Sequence, residues 1–419
     1  MLVYILHRGT WAVHNATYCT IIHIGALCER VMPTSTVSLQ TTVVGSFPKP
    51  AYLEIPDFFA KGAKKPGLLG TNTDAYSEMM AGLSEGQRGK LEEDIVRATK
   101  EVIQEQVDCG VNVVTDGEIR RENYIHYFCR FVEGIDFTDK TEIQARNGAF
   151  TAQVPTIRAK VAWRGPMSCA EEWKKAQGVS SVPVKYTLPG PMTIMGSTAN
   201  IHYKDDKELA SDLAVVINRH VRELAEAGCK YIQIDEPLFA RKPNEALSYG
   251  IACLDRCFEG CPAGVEKAMH MCCGYPGYVD QTDYLKADNQ AYRQIAPALD
   301  ESSIDAVSIE DAWCRNDLSL LGLFKKTKVI LGAMHVSSSQ METVEEIRAR
   351  LTEALEHIDA DRLIVAPDCG LALLDGDHRP KLNLKLANMC KAAACVPCAV
   401  RKRGAEDAAD ESPKKVRSA

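Results

Sequence analysis

Four side chains of the types that bind zinc follow candidate β-strands in the C-terminal half of the chain. They are His270, Cys272, Glu310 and Cys369. Because side chains on an extended strand alternate between two faces, His270 and Cys272 point to the same side. A second thiolate and a carboxylate arriving from two other strands would complete a tetrahedral set of nitrogen, sulfur and oxygen ligands. These residues predict one zinc site, at which the metal activates a thiol.

The strands that must position these ligands alternate with helix-like segments between residues 40 and 392. Eight runs, mostly rich in valine and isoleucine, are typical of strands buried on both faces of a parallel sheet. They are 41–47, 111–118, 184–191, 231–237, 267–274, 306–312, 328–336 and 363–370. Apolar residues recur with a helical period in 92–110, 208–228 and 342–358. The pattern predicts an α/β fold, a single (β/α)8 TIM barrel, with a doubly wound open sheet as the alternative.

Two long interruptions, at about 48–90 and 119–182, predict insertions after strands 1 and 2 of the barrel. The barrel is predicted to span 36–392. Residues 1–35 are predicted to be a disordered extension or the product of a mis-assigned start, with a targeting segment as the alternative. Residues 393–419 are predicted to form a disordered charged tail.

Composition limits the classes of function. The chain has 419 residues, of which 46% are hydrophobic and 25% charged, as in soluble globular enzymes. The net charge of −7 gives no electrostatic argument for binding nucleic acid, and no apolar run is long enough for a transmembrane helix. The 16 cysteines follow no disulfide spacing and predict reduced thiols and metal ligands in the cytoplasm. Basic clusters within 401–417 resemble a nuclear import signal, although a solvated tail has the same composition.

Polar or reactive residues stand at the end of every candidate strand. In a (β/α)8 barrel the working residues lie at the C-terminal ends of the strands, so these positions predict an active site at the barrel mouth. In strand order they are Ser46, Asp116 with Glu118, Gly190 with Pro191, Asp235 with Glu236, His270 with Cys272, Glu310, His335, and Asp368 with Cys369.

Six motifs occur in order over residues 40–390: TTVVGSFPKP, VVTDGE, LPGPMTI, IQIDEP, HMC and VAPDCGL. As a set they resemble the C-terminal catalytic barrel of cobalamin-independent methionine synthase. The resemblance implies a (β/α)8 barrel that transfers a methyl group to the sulfur of homocysteine, from a methyl-folate or a methyl-corrinoid. It implies zinc ligands at His270, Cys272, Glu310 and Cys369.

The resemblance also implies which residues bind the substrate. The homocysteine contacts of the family fall on Ser46, Glu118 and Asp235, so two carboxylates would hold the amino group and the backbone near Ser46 would bind the carboxylate. A free thiol has a pKa of about 8.5 and is mostly protonated at neutral pH. Coordination to zinc deprotonates it and leaves it nucleophilic, which agrees with the implied reaction.

Three departures from the family pattern concern the methyl donor and the proton donor. Two-barrel members carry an N-terminal barrel that helps to bind folate, where this chain has residues 1–40. No aromatic residue stands at 195–197, where the family has a tryptophan that stacks on the pterin. Ser337 occupies the position of the proton-donating histidine, and His335 lies two residues earlier on the same strand face. We predict His335 as the substitute proton donor, with a solvent-facing histidine as the alternative.

Other functions stay open at the level of sequence. One is zinc-dependent alkyl transfer to another small thiol, from a corrinoid or an epoxide. A second is non-catalytic binding of zinc or thiols, which the Cys395-x-x-Cys398 pair favours weakly. A third is the porphyrin decarboxylase branch of the same barrel, which needs no zinc and is disfavoured by the four ligands. Cys273 points away from Cys272 and is predicted to be structural.

Overall fold

Eight parallel strands curl into a barrel in the computed structural model, which describes residues 34–58, 71–145, 150–165 and 169–399. The barrel strands β1 to β8 are Gln40–Thr41, Val114–Thr115, Val184–Pro189, Tyr231–Asp235, Glu266–Met271, Ala306–Ile309, Lys328–Met334 and Leu363–Pro367. Their spatial order is β1-β8-β7-β6-β5-β4-β3-β2, and a parallel bridge between Thr42 and Val113 joins the two end strands. A doubly wound sheet would reverse its strand order partway. The predicted (β/α)8 barrel is confirmed.

The strands are buried on both faces, as their apolar runs indicate. Every residue of β3, β6 and β8 is buried. The register aligns the strand ends that carry the predicted site: His270 is the partner of Asp235 on β4 and of Ser308 on β6. Polar side chains that follow these strands therefore emerge at one level, at one end of the barrel.

Helices connect the strands and cover the barrel. The α-helices are Thr71–Gly82, Glu85–Asp108, Tyr124–Cys129, Cys169–Gly178, Pro191–Met195, Asp206–Glu226, Leu238–Arg241, Pro243–Glu245, Ile251–Cys257, Gln290–Glu301, Val344–Ala354 and Arg379–Ala393. A π-helical turn spans Ala246–Gly250, and 3-10 turns span Leu318–Leu323, Ala360–Arg362 and Gly376–His378. The three helices predicted from periodicity are present, and capping boxes at Ser84 and Thr343 begin two of them. Ser84 lies about two turns before the predicted start at residue 92, and Thr343 lies next to the predicted start at residue 342.

The insertion after β2 contains a long β-hairpin. Val132–Ala145 and Phe150–Trp163 pair in antiparallel fashion, and Ala199–Asn200 adds a short third strand. The sequence predicts the insertion but no hairpin, because register shifts at Glu133/Ile135 and Asp136/Thr141 interrupt the alternation that would reveal strands. Part of the insertion after β1 lies outside the described residues.

The ends of the described chain meet in a two-stranded sheet, formed by Thr34–Val37 and Val396–Ala399. Residues Ser35–Cys398 form one compact unit. The predicted N-terminal extension lies almost wholly outside the described residues, as do the basic clusters within 401–417; the strand at 396–399 falls within the range assigned to the tail. In the part of the chain that the structure describes, no helix is long and apolar enough to cross a membrane.

Candidate active site and metal centre

A cavity of about 590 Å³ opens at the C-terminal ends of the barrel strands. Six of the predicted site residues line it: Ser46, Glu118, Asp235, His270, Cys272 and Cys369. They come from five strand ends that are far apart in sequence, and the barrel brings them to one mouth. The cavity therefore joins the predicted metal ligands to the predicted amino-acid contacts.

Three potential metal ligands converge on the wall of this cavity. The Nε2 of His270 lies 3.5 Å from the Sγ of Cys369, which lies 3.9 Å from the Sγ of Cys272. Ligand atoms around one tetrahedral zinc ion would be about 3.6 Å apart for a nitrogen–sulfur edge and about 3.8 Å for a sulfur–sulfur edge. The two measured edges fit this geometry, so the donor set suits a zinc ion.

Contacts around the three ligands orient the ring and create negative charge. The Nδ1 of His270 is hydrogen-bonded to the Oγ of Ser308 at 2.9 Å, which leaves Nε2 directed at the thiols. The hydrogen bond from Cys369 holds the pKa of Cys272 well below the ordinary thiol value, and His270 lowers it further. The same contact raises the pKa of Cys369. The contact therefore favours the thiolate form of Cys272 over that of Cys369.

Glu310, the fourth predicted ligand, lies in a neighbouring cluster. Its Oε2 pairs with the Nζ of Lys286 at 2.6 Å, and its Oε1 accepts hydrogen bonds from the Cys314 thiol at 2.8 Å and the Cys273 N–H at 3.3 Å. The structure thus groups three of the four predicted ligands and places the carboxylate of the fourth beside Cys273 and Cys314.

Asp235 is the end of a buried polar chain through the barrel interior. Its Oδ1 accepts a hydrogen bond from the Nε2 of Gln233 at 2.7 Å, and the Oε1 of Gln233 accepts one from the Nζ of Lys185 at 2.6 Å. Burial raises the pKa of Asp235 to about 7. These contacts orient a carboxyl group that ionises near neutral pH and faces the cavity.

Glu118 has a backbone conformation that few residues other than glycine adopt, with φ of 56°. Its Oε1 accepts a hydrogen bond from Thr187 Oγ1 at 2.8 Å and lies 3.6 Å from the guanidinium of Arg121. Burial raises its pKa. A Cβ atom at Gly45 would lie 2.6 Å from this oxygen, so the glycine leaves room for the carboxylate.

Ser46 lines the cavity and lies against the loop that follows Cys369. Its carbonyl oxygen accepts a hydrogen bond from the N–H of Leu371 at 2.7 Å, which ties the end of β1 to the loop that follows Cys369. A Cβ atom at Gly370 would lie 2.2 Å from the Ser46 Oγ, so this close approach requires glycine.

His335 is placed differently from the other predicted site residues. Its ring packs on that of Trp313, with 4.7 Å between the centroids, and its Nδ1 accepts a hydrogen bond from the N–H of Ser337 at 3.2 Å. Burial lowers its pKa to about 4, so the ring is neutral at pH 7. Among the described residues, His335 is not one of those that line the cavity.

Sequence reasoning missed Lys286, Cys314, Gln233 and Lys185. Gln233 and Lys185 lie inside strands, and their neighbours indicate only burial. Lys286 and Cys314 lie in irregular segments that have no periodic pattern. One signal was available: a lysine and a glutamine inside apolar strands need polar partners when buried, which points to an internal network.

The comparisons with known proteins agree with this geometry. The family model described as cobalamin-independent synthase, catalytic domain, matches residues 72–395. The methionine synthase of Saccharolobus solfataricus is 29% identical over 370 residues, which cover 87% of this chain and 97% of that protein. The methionine synthase of Sulfurisphaera tokodaii is 30% identical over 369 residues, covering 87% of this chain and 95% of that protein.

A solved structure supports the same assignment. A B12-independent methionine synthase from Shewanella sp. W3-18-1, in complex with selenomethionine, superimposes with a TM-score of 0.71 at 29% identity. The superposition covers 85% of this chain and 97% of that one. From the family match, the relatives and the fold, the chain belongs to the cobalamin-independent methionine synthase family and is a methyltransferase.

Proposed function

We propose that this enzyme methylates homocysteine at a zinc ion held by His270, Cys272 and Cys369, with Glu310 as a fourth ligand. The observation that carries the proposal is the convergence of the nitrogen and two sulfurs on the cavity wall, at edge lengths of 3.5 and 3.9 Å. When bound, zinc supplies the charge that keeps a substrate thiol deprotonated and nucleophilic at neutral pH. The Cys272 thiolate and the oriented His270 ring supply the donor atoms.

The chain's own residues would hold the amino-acid part of the substrate. Glu118 and Asp235 face the same cavity as the metal ligands and would pair with the substrate ammonium group. An ammonium beside Asp235 lowers the pKa of that carboxyl from about 7 and keeps it ionised. The backbone at Ser46 would bind the substrate carboxylate, which places the thiol toward Cys272 and Cys369.

The relatives favour methionine as the product. The Shewanella enzyme binds selenomethionine, in which selenium replaces the sulfur of methionine. The Saccharolobus methionine synthase is nearly covered by the match, so a protein of single-barrel length bears that name. Tyr124, Ile143 and Leu238 also line the cavity, and their apolar surfaces would contact a methyl donor, either methyl-folate or methyl-corrinoid. His335 as proton donor stays a prediction. Its ring packs on that of Trp313, and among the described residues it is not one of those that line the cavity.

A donor comparison with the full-length chain tests the proposal. We expect one tightly bound zinc ion whose loss accompanies loss of activity, and methionine from homocysteine with either methyl-folate or methylcobalamin offered separately. Cys369→Ser removes a ligand thiolate, so we expect it to lose this zinc and all methionine formation. The matched control is Cys395→Ser, an exposed cysteine outside the cluster.

Two outcomes would contradict the proposal. Cys369→Ser with unchanged zinc content and activity would remove that residue from the metal site. Zinc-loaded enzyme that forms no methionine from either donor would exclude homocysteine methylation by these donors and favour alkyl transfer to another thiol.

A further inference from the structure

A second cluster of metal-ligand atoms lies beside the candidate active site. One thiol sulfur each from Cys273 and Cys314 and a carboxylate oxygen of Glu310 all lie within 4.8 Å of one another. Cys273 and Glu310 are buried, and Cys314 is partly exposed, which gives the cluster access to solvent. Among the described residues these three do not line the cavity, whereas Cys272 does. Cys272 and Cys273, two successive residues that follow β5, thus belong to two different clusters.

We propose that Cys273, Glu310 and Cys314 form a second site, for a thiophilic divalent cation such as Zn²⁺ or Cd²⁺. Two thiolates and one carboxylate are a donor set that zinc accepts, and the thiolates favour soft ions over Mg²⁺ or Ca²⁺. Binding requires both thiols to lose their protons to solvent. The hydrogen bond from Cys314 to Glu310, at 2.8 Å, is then replaced by two bonds to the ion. This sulfur–oxygen distance would widen to about 3.6 Å around a tetrahedral ion.

Lys286 is the internal competitor for this site. Its ammonium lies 2.6 Å from Glu310 Oε2 and 4.2 Å from the centre of the Trp313 ring, so it supplies the positive charge that the buried carboxylate needs. Its side chain is 12% exposed. Because a lysine stem is flexible and ends near solvent, the ammonium can move outward when a cation arrives. The affinity of the second site is therefore set by exchange of an ammonium for a metal ion.

The two sites share the Glu310 carboxylate. Glu310 is the fourth ligand in the proposed function, so an ion at the second site would take this carboxylate from the first ion. The first site would then keep His270, Cys272 and Cys369, with a position open for substrate, as in catalytic zinc sites. Both ions can therefore be bound at once. The inference rests on the proposed function only through the zinc site at His270, Cys272 and Cys369. The Cys369→Ser variant tests that site separately from the second one.

Equilibrium dialysis of the full-length metal-free chain against Cd²⁺, read by elemental analysis and by the thiolate-to-cadmium absorption band, tests the second site. We expect two ions per chain in the unmodified protein and one in Cys314→Ser. Cys369→Ser should also bind one, at the second site. Lys286→Met removes the competing ammonium and should tighten the second ion by about tenfold or more. Cys395→Ser is the control and should keep two.

Each result separates the two sites. A chain that saturates at one ion, lost in Cys369→Ser and kept in Cys314→Ser, would support the first site and overturn the second. Two ions retained in Cys314→Ser, with one lost in Cys395→Ser, would place the extra ion at the C-terminal cysteine pair and also overturn it. An unchanged affinity for the second ion in Lys286→Met would contradict the competition between the Lys286 ammonium and the metal ion. Thermal melting checks that each variant is folded.

Discussion

At the scale of single residues, the proposed substrate contacts depend on two carboxyl groups that the barrel buries. Asp235 and Glu118 are buried, and burial raises the pKa of both. Glu118 also has a positive φ, a conformation that costs about 1–3 kcal/mol and persists where the surrounding structure requires it. Asp116 supports it by accepting a hydrogen bond from the Glu118 N–H at 2.9 Å. This strained backbone accompanies a Glu118 side chain that lines the cavity, in agreement with the proposed contact to the substrate ammonium group.

Glu118→Gln tests this role. The change removes the negative charge and keeps the size, so we expect the KM for homocysteine to rise by about tenfold or more, the effect of losing a hydrogen bond between charged groups. Zinc content should not change, because Glu118 is outside the three-ligand cluster. Steady-state kinetics with metal analysis measures both. Glu171→Gln, an exposed residue paired with Lys174, is the control. A wild-type KM in Glu118→Gln would contradict the assignment.

At the scale of elements, the short helix Tyr124–Cys129 joins the cavity wall to the first insertion. Tyr124 and Ile125 line the cavity, and His126 is buried behind them. The Nε2 of His126 donates to the Ser197 carbonyl at 2.9 Å, so its Nδ1 accepts from the Thr73 hydroxyl at 2.8 Å. The bond that Nδ1 accepts requires the neutral ring, and burial lowers the pKa of His126 from 6.5 to about 4.

His126→Gln tests this element through pH. In the unfolded chain the ring takes up a proton near pH 6.5, whereas in the folded chain it does so only near pH 4. The contribution of His126 to stability is therefore fully present above pH 6.5 and is lost as pH falls toward 4, by about 3 kcal/mol. We expect the stability difference between the wild type and His126→Gln to shrink by this amount over that range.

Urea unfolding at several pH values measures this difference, and glutamine does not titrate there. His220 and His335 also have pKa values lowered to about 4, so the wild-type curve alone would not isolate His126. A difference that is constant from pH 6.5 to 4 would show that His126 is not held neutral.

At the scale of the whole molecule, two strand pairings hold the fold together: one closes the barrel, and the other joins the ends of the described chain. The bridge between Thr42 and Val113 joins the end strands, and the pairing of Thr34–Val37 with Val396–Ala399 holds the two ends of the described chain together. The Leu39 N–H also donates to the Ala393 carbonyl at 2.9 Å, and Val396 is fully buried. The segment after the last helix is therefore part of the packed unit.

Two truncations test this closure. Removing 395–419 deletes the terminal strand and the buried Val396 side chain, whose burial contributes about 1.5–3 kcal/mol. Removing 400–419 keeps the strand. We expect the first variant to melt several degrees below the second, as measured by calorimetry. Equal melting temperatures would show that the terminal strand does not stabilise the barrel.

The barrel, and six of the residues that line its cavity, could be predicted from sequence because each depends on local chemistry. Doubly buried strands need long apolar runs, and a strand that ends in His-x-Cys presents both donors on one face. The hairpin could not be predicted, because bulges break the alternation at Glu133/Ile135 and Asp136/Thr141.

The grouping of ligands was decided only by tertiary structure. By itself the sequence determined that His270, Cys272, Glu310 and Cys369 follow three of the eight strands, but not which side chain each would contact. Lys286 comes from an irregular segment and pairs with Glu310, which places that carboxylate with Cys273 and Cys314. An ion pair between residues distant in sequence leaves no periodic pattern, since it depends on where folding brings two charges together.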